Sequence, residues 1–390
     1  MLSARQAVCE TDGAPDFPGA PFSLPLPKEG PIVLAVSGGS DSVSMLHLVW
    51  RSLVRRGECD RLHVATVDHA LRTGSAEEAR LVGRICERLD LPHQVLIWSG
   101  EKPKSGIQAA AREARYRLLS AFAAPMNATI LVAHTADDQA ETLAMRQSRN
   151  PAPTLGLSGM ASGTFWRTGR GGAWVMRPML ALRRAALREW LSKQGISYVD
   201  DPSNEDRRFE RVRLRQDGSA SIDGGGAGSA SETSRDVIAR RVAGILSSNA
   251  QRVDPSTLLL RWDDRFSMPN LERVEALRVM LAFAGGLDHR PATAAVCSLL
   301  KRLPQTRRSS LARCVVERRG DGLFIRREHR RGQIGKDDGS TQTTPLGQMP
   351  YPFAKAVPLH DLPVAQQVET LCDWPLTPPP VETFVHDIGK

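Results

Sequence analysis

Short apolar runs alternate with amphipathic helical stretches through the first half of the chain. The apolar runs predict strands, which fall at 32–36, 62–67, 93–98 and 129–133. Apolar positions three and four residues apart predict helices after them, at 42–56, 75–89, 107–123 and 137–147. Strands that alternate with helices indicate βαβ units, and hence an α/β fold with a parallel, doubly wound sheet. Ligands bind such sheets beyond the carboxyl ends of the strands.

The second half of the chain has more helical stretches than strand runs. Helices are predicted at 183–194, 237–246, 270–283 and 291–303. The turn "RRGDG" between runs at 311–317 and 322–327 predicts a β-hairpin. We therefore expect a smaller, mostly helical domain with a β-hairpin after the α/β domain. The predicted organisation is a flexible leader at 1–30, the α/β domain at 31–216, a Gly/Ser-rich linker at 217–233, the helical and hairpin domain at 234–331 and a Pro-rich region at 332–390.

The charge balance is basic, since 52 Lys and Arg against 43 Asp and Glu give a formal net charge of +9. Such an excess favours a polyanionic partner such as nucleic acid, although a basic enzyme without one can have the same balance. The six cysteines form no CxxC pair, which fits a reduced cytosol and argues against a cysteine-ligated metal or cluster. No apolar run approaches the length that spans a bilayer, so we expect a cytoplasmic protein with no membrane association.

The segment "SGGSDS", residues 37–42, joins the first predicted strand to the first predicted helix. Its glycines allow positive φ and close backbone approach, while the helix N-terminus and the serine hydroxyls offer donors to an anion. Asp41 has the wrong charge for a phosphate unless a cation bridges the two, so the combination indicates a nucleotide pyrophosphate with Mg²⁺. The segment fits neither Walker A nor the Rossmann fingerprint. A tight strand–helix turn with an acidic cap is the alternative.

A second polar segment, "HTADDQAET" at 134–142, follows the fourth predicted strand. We expect His134, Asp138 and Glu141 at the same sheet edge as Asp41, because both segments follow parallel strands. Two carboxylates there can share a Mg²⁺ ion. Acidic residues in a first helical turn also favour the helix dipole, so a purely structural role stays open.

The segment "SGGSDS" matches the PP-loop signature SGGxDS, and through it the chain resembles the ATP pyrophosphatases with their adenine nucleotide alpha hydrolase-like fold. The second segment resembles the HxxDDxxET motif of the tRNA-modifying branch of that superfamily. Five further segments are similar to elements of the tRNA(Ile)-lysidine synthetase family, namely "VDHALR", "AREARY", "GLSGM", "RPMLALRR" and "DPSNEDRRFERVRLR". These motifs follow the order of the family over about residues 31–215.

The resemblance implies an ATP-dependent ligase. Enzymes of the family adenylate the C2 oxygen of the wobble cytidine in the tRNA(Ile) with a CAU anticodon, and pyrophosphate leaves. The side-chain amine of lysine then attacks C2 and displaces AMP, which forms lysidine. ATP, Mg²⁺ and L-lysine are therefore the expected small molecules, and tRNA(Ile) is the expected partner. The sequence leaves the oligomeric state open, and a homodimer is compatible with it.

The resemblance also implies roles for residues of this chain. Asp41 and Asp138 are expected to hold Mg²⁺. His134 and Arg112 are expected to take part in catalysis, and Glu141 to bind the ammonium group of lysine. ATP binding is expected from Ser37, Gly38, Gly39, Ser40, Asp41, Ser42, His69 and Arg72. Contact with the tRNA is expected from Arg177, Arg207, Arg208, Arg211, Arg213 and Arg215, with a solvated basic helix face as the alternative for the last five.

Two departures from the family pattern affect the expected function. Val212 stands where the RNRIR element of the family has Asn. The segment "MRQSRNPAPTLGL" at 145–157 lacks the glycine pair of the family's LxRGSGxxGL stretch. These departures keep a non-catalytic tRNA-binding homologue open as an alternative. Another is a different PP-loop tRNA modification such as 2-thiocytidine synthesis, although those enzymes generally use cysteine pairs.

Overall fold

The computed structural model describes residues 22–71, 74–103, 105–149, 159–168, 171–200, 213, 234–254, 257–262, 271–285, 287, 290–320, 322–328 and 381–386. The chain forms two compact units. The first contains the described residues up to 213 together with 381–386, and the second contains those from 234 to 328. The domain boundaries proposed from the sequence stay predictions.

A six-stranded sheet forms the centre of the first unit. Its strands are β2 (Ile32–Ala35), β3 (Leu62–Asp68), β4 (His93–Ile97), β5 (Thr129–Val132), β6 (Gly163–Thr168) and β7 (Gly171–Met176). Their spatial order is β4-β3-β2-β5-β7-β6, and only β6 runs antiparallel to its neighbour within this sheet. The chain proceeds from β2 outward to β3 and β4, and then returns to place β5 on the other side of β2. The carboxyl ends of β2 and β5 therefore form the topological switch point, where ligands bind in such sheets.

Helices cover both faces of this sheet, which confirms the doubly wound α/β prediction. They are α1 (Ser40–Val54), α2 (Ser75–Leu89), α3 (Ile107–Ala123), α4 (Ala136–Arg149) and α5 (Arg184–Lys193). Ile32 and Leu34 of β2 pack into a core that contains side chains of α1, α2 and α5. Val33 packs into a second core with Tyr116 of α3. This division follows from the strand period of two, which sends alternate side chains to opposite faces.

The predicted flexible leader is wrong for its last part, because Phe22–Pro27 forms strand β1. This strand pairs antiparallel with a strand from the far end of the chain, Val381–His386, which is β13 in chain order. Leu24 and Leu26 of β1 are fully buried, so alternate side chains of "FSLPLP" enter the core although prolines lie beside them. Proline is tolerated on edge strands, and here the proline-rich composition concealed a strand. Residues 1–21 lie outside the described part of the chain.

In the part of the second unit that the structure describes, the chain forms an antiparallel sheet and three helices. The strands are β8 (Ala250–Asp254), β9 (Thr257–Arg261), β10 (Arg308–Leu311), β11 (Cys314–Arg319) and β12 (Gly322–Arg327), in the spatial order β10-β11-β12-β9-β8. The helices are α6 (Ser234–Asn249), α7 (Leu271–Gly285) and α8 (Thr293–Thr306). The predicted hairpin is present as β11 and β12, whereas the sequence pattern missed β8, β9 and β10. Across both units, no described helix has the length and apolar character needed to cross a membrane.

Candidate active site

Residues 37–42, called the serine turn below, connect β2 to α1 at the topological switch point. Gly38 has a φ of +93°, a conformation that glycine adopts without steric cost. Ser42 Oγ closes the turn, because it accepts a hydrogen bond from Ser37 N–H at 3.2 Å and donates one to Gly39 O at 2.9 Å. The turn lies at the N-terminal end of α1, where the helix dipole favours an anion.

A later segment of the chain is fastened to the serine turn. Val199 N–H donates to Gly38 O at 2.9 Å, and Val199 forms an isolated parallel bridge with Gly39. A Cβ on Gly38 would lie 3.5 Å from Val199 Cγ2, so the two segments are in close contact. Asp200, the next residue, is therefore held beside the turn.

Three carboxylates that follow two different strands meet on a single guanidinium. Arg184, the first residue of α5, donates from Nε to Asp41 Oδ2 at 2.8 Å and from Nη2 to Asp138 Oδ1 at 3.2 Å. Its Nη1 lies 3.5 Å from Glu141 Oε1. We call these four residues the arginine–carboxylate cluster. Because Asp41 follows β2 while Asp138 and Glu141 follow β5, the cluster spans the switch point.

The two consecutive aspartates in the first turn of α4 hold this cluster in place. Asp138 Oδ2 accepts hydrogen bonds from the N–H and the Oγ1 of Thr135, both at 2.9 Å. Asp137 Oδ2 accepts a hydrogen bond from Arg184 N–H at 2.7 Å and so caps the start of α5. The two side chains thus have separate tasks, since one meets the guanidinium and the other fixes the helix that carries it.

Burial shifts the proton equilibria of the cluster. Glu141 is 2% exposed, and the side chains of Arg184 and Asp41 are 17% and 18% exposed. Burial raises the pKa of Asp41 above its usual range; Arg184 counteracts part of the rise and Asp138 adds to it. Burial also opposes the charged form of Arg184, but the surrounding carboxylates outweigh it and raise the pKa of the guanidinium. Three acidic groups thus share one basic group that stays charged.

The other predicted catalytic and nucleotide-binding residues lie around this edge. His69 follows β3 and meets Trp98 edge-on, with ring centroids 5.9 Å apart. Burial lowers the pKa of His69 to about 4, so its imidazole is neutral at neutral pH. His134 follows β5 and is half-buried. Arg112 is exposed on α3, with its guanidinium 5.1 Å from the ring centroid of Tyr116.

Comparison with known proteins gives a consistent result. Residues 21–218, about half of the chain, match the family described as the PP-loop domain. The tRNA(Ile)-lysidine synthase of Mesorhizobium japonicum is 38% identical over 322 residues, which cover 76% of this chain and 67% of the relative. That of Ruegeria pomeroyi is 38% identical over 317 residues, covering 79% of this chain and 73% of the relative. This chain belongs to the tRNA(Ile)-lysidine synthase family. The tRNA(Ile)-lysidine synthase of Rhodopseudomonas palustris is 50% identical over 188 residues, which cover 47% of this chain and 52% of the relative.

Several residues that the lysidine synthase motifs single out lie outside the described part of the chain. They are Arg72, Arg207, Arg208, Arg211 and Arg215, together with Val212 and residues 150–158. Arg213 is described and exposed. The ATP-binding role of Arg72 and the tRNA-binding role of the other arginines stay predictions.

Arg177, which was expected at the tRNA, is buried and bound to its own chain. It is 9% exposed, and its Nη1 donates to Ala161 O at 2.9 Å and to Thr164 Oγ1 at 3.2 Å. A buried guanidinium that binds its own chain helps to hold the β6–β7 hairpin in position. Its predicted contact with the tRNA stays a prediction.

Sequence reasoning did not assign a role to Arg184, the centre of the cluster in this lysidine synthase family member. The available signal was the pair of arginines that ends "RPMLALRR", which stands at the N-terminus of a predicted helix. Basic residues are unfavourable there because the helix dipole is positive at that end. An arginine placed against the dipole indicates that it has an acidic partner elsewhere in the fold.

Proposed function

We propose that this chain forms lysidine at the wobble cytidine of the tRNA(Ile) with a CAU anticodon, using ATP and lysine. The observation that carries the proposal is the arginine–carboxylate cluster beside the serine turn, at the switch point of a PP-loop sheet. The serine turn suits the phosphates of a nucleotide, and the carboxylates suit cations. Membership of the lysidine synthase family supports the tRNA as the acceptor. Because ATP and tRNA are cytoplasmic molecules, the cytoplasm is the expected location.

The first step joins the C2 oxygen of the cytidine to the α-phosphorus of ATP and breaks the bond between the α- and β-phosphates. Negative charge develops on the departing pyrophosphate. The serine turn and the N-terminal end of α1 would stabilise this charge, because oriented backbone dipoles lower the energy of an anion there.

The second step joins the side-chain nitrogen of lysine to C2, and the bond between C2 and the oxygen of AMP breaks. The lysine nitrogen must lose protons, because the free amino acid carries an ammonium group at neutral pH. Glu141 is the candidate to bind that ammonium group, since it is a buried carboxylate at this edge of the sheet. His134, which follows the same strand, is the candidate to accept the proton.

The donor set at this edge fits a divalent cation bound together with phosphate. Asp41 and Asp138 carry hard carboxylate oxygens, which Mg²⁺ prefers, and each meets the same guanidinium. Among the described residues, no group of three or more His, Cys, Asp or Glu is arranged to hold a metal ion. We therefore propose that Asp41 and Asp138 bind Mg²⁺ only with oxygen ligands from the nucleotide and water. The ion would neutralise charge on the phosphates.

Two of the described cysteines are poorly suited to sulfur transfer, the chemistry of the closest rival function. Burial raises the pKa of Cys86 and of Cys314 to about 12, so both stay protonated thiols at neutral pH. Sulfur transfer requires a thiolate or a cluster ligand, and neither thiol is suited to that task. Membership of the lysidine synthase family is the stronger reason to favour the ligase function.

An assay for lysine transfer tests the proposal. The protein is incubated with ATP, Mg²⁺, labelled lysine and tRNA(Ile) bearing CAU, and label in the tRNA is compared with AMP released. We expect one lysine joined to the tRNA for each AMP released. Elongator tRNA(Met) is the matched control RNA and should take up no label. ATP turnover without lysine transfer would contradict the proposal.

A further inference from the structure

Helix α5 brings two arginines, one turn apart, to the serine turn. The first, Arg184, is bound by three carboxylates of the cluster. The second, Arg188, has different partners: its Nε lies 3.4 Å from Ser40 Oγ, and its Nη2 lies 3.1 Å from Asp200 Oδ1. Residues four apart on a helix share a face, which explains why both guanidinium groups reach the same turn.

Arg188 can change its ion-pair partner more easily than Arg184 can. The side chain of Arg188 is 41% exposed, and that of its partner Asp200 is 65% exposed. An exposed ion pair of this kind contributes little stability, so exchanging one anion for another costs little. The backbone bond of Val199 to Gly38 holds Asp200 beside the turn, so its carboxylate is a built-in anion next to the phosphate-binding segment.

The serine turn has no positive side chain of its own, so a phosphate bound there requires a cation from another segment. The turn contains Asp41 but neither Lys nor Arg, unlike a Walker A loop with its lysine. Arg188 is a cation that donates a hydrogen bond to a serine of the turn. Ser40 Oγ in turn donates to Asp41 Oδ1 at 3.3 Å, so the guanidinium lies close to the acidic end of the turn.

We propose that Arg188 binds the β- and γ-phosphates of ATP, and then the departing pyrophosphate, after exchanging Asp200 for phosphate oxygen. Asp200 holds the guanidinium in position while the nucleotide site is empty and competes with the phosphates for it. This inference rests on the proposed function in so far as ATP is cleaved between its α- and β-phosphates. A guanidinium suits this task because it binds phosphate oxygens in a bidentate manner.

Direct binding measurements test the inference without tRNA or lysine. The affinities of pyrophosphate, ATP and AMP are measured by titration calorimetry, in buffer with Mg²⁺, for the full-length protein and its variants. Arg188→Ala should weaken pyrophosphate and ATP binding about tenfold or more, since a charge-assisted bond is lost, and leave AMP binding unchanged. Arg188→Lys should recover part of the loss. Lys193→Ala is the control, because Lys193 lies on the same helix and pairs with Glu189.

Asp200→Asn provides the opposite perturbation. If Asp200 competes with phosphate, its neutralisation should tighten pyrophosphate binding severalfold, and this gain should vanish when Arg188→Ala is also present. Weaker pyrophosphate binding in Asp200→Asn would overturn the inference, and so would an equal loss of AMP and pyrophosphate binding in Arg188→Ala. The first result would show that Asp200 does not compete with phosphate, and the second would show that Arg188 only supports the fold. A protein that binds pyrophosphate in this manner but transfers no lysine would refute the proposed function and leave the role of Arg188 intact.

Discussion

Replacing Arg184 with alanine removes the positive charge that joins three carboxylates, two buried and one largely buried. Its guanidinium lies 2.8 Å from Asp41, 3.2 Å from Asp138 and 3.5 Å from Glu141, and the side chain is 17% exposed. Breaking a buried ion pair on one side costs about 3–5 kcal/mol, because uncompensated charge is left behind. For a domain of this size each kcal/mol lowers Tm by about 2–4 °C, so we expect a fall of roughly 6–20 °C at neutral pH.

Thermal unfolding followed by circular dichroism measures this effect at neutral pH and near pH 5. The loss of Tm should be smaller at the lower pH, because carboxylates without Arg184 take up protons more readily. Arg80→Ala, at an exposed position of α2, is the control. A Tm equal to that of this control, or a loss independent of pH, would refute the reasoning.

Three further predictions concern single residues of the first unit. Burial raises the pKa of Asp41, so its carboxylate reduces the stability of the fold as pH rises above the unfolded pKa of 3.8. Asp41→Asn should therefore keep or raise Tm at neutral pH, while lysine transfer is lost. A marked fall in Tm would contradict this. Burial lowers the pKa of His47 from 6.5 to about 4, so the fold loses stability as pH falls through that range. In urea unfolding, His47→Gln should remove about 3 kcal/mol of this loss in the free energy of unfolding. An unchanged pH dependence would show that His47 is not its source. Gly38→Ala places a Cβ at a φ of +93° and beside Val199, so it should weaken pyrophosphate binding in calorimetry, and unaltered affinity would show that the turn tolerates the strain.

Periodicity in the sequence was a good guide where the apolar stripe was strong. Helices α2 and α3 lie at 75–89 and 107–123, the bounds that the spacing predicted. Strands were missed where pairing depends on distant segments. β1 and β13 pair although more than three hundred residues separate them, and prolines hide the apolar alternation of "FSLPLP". Local patterns carry no information about such partners.

In the candidate site too, the sequence shows the local motifs but not the distant residue that joins them. The serine turn and the acidic segment were recognisable, because each concentrates its polar residues directly after a strand. The partner that joins them was not, since Arg184 stands 143 positions from Asp41 in the chain. Only the fold reveals that α5 returns to the switch point and that Val199 fastens Asp200 beside the turn.

The wobble nucleoside itself gives the most direct test of the central claim. tRNA(Ile) with a CAU anticodon is incubated with the protein, ATP, Mg²⁺ and lysine, then digested to nucleosides for mass spectrometry. The account predicts that the wobble cytidine gains one lysine with loss of water, and that Asp41→Asn leaves it unmodified while the tRNA is still bound. If the wobble cytidine stays unmodified after incubation with the unsubstituted protein, the account is contradicted.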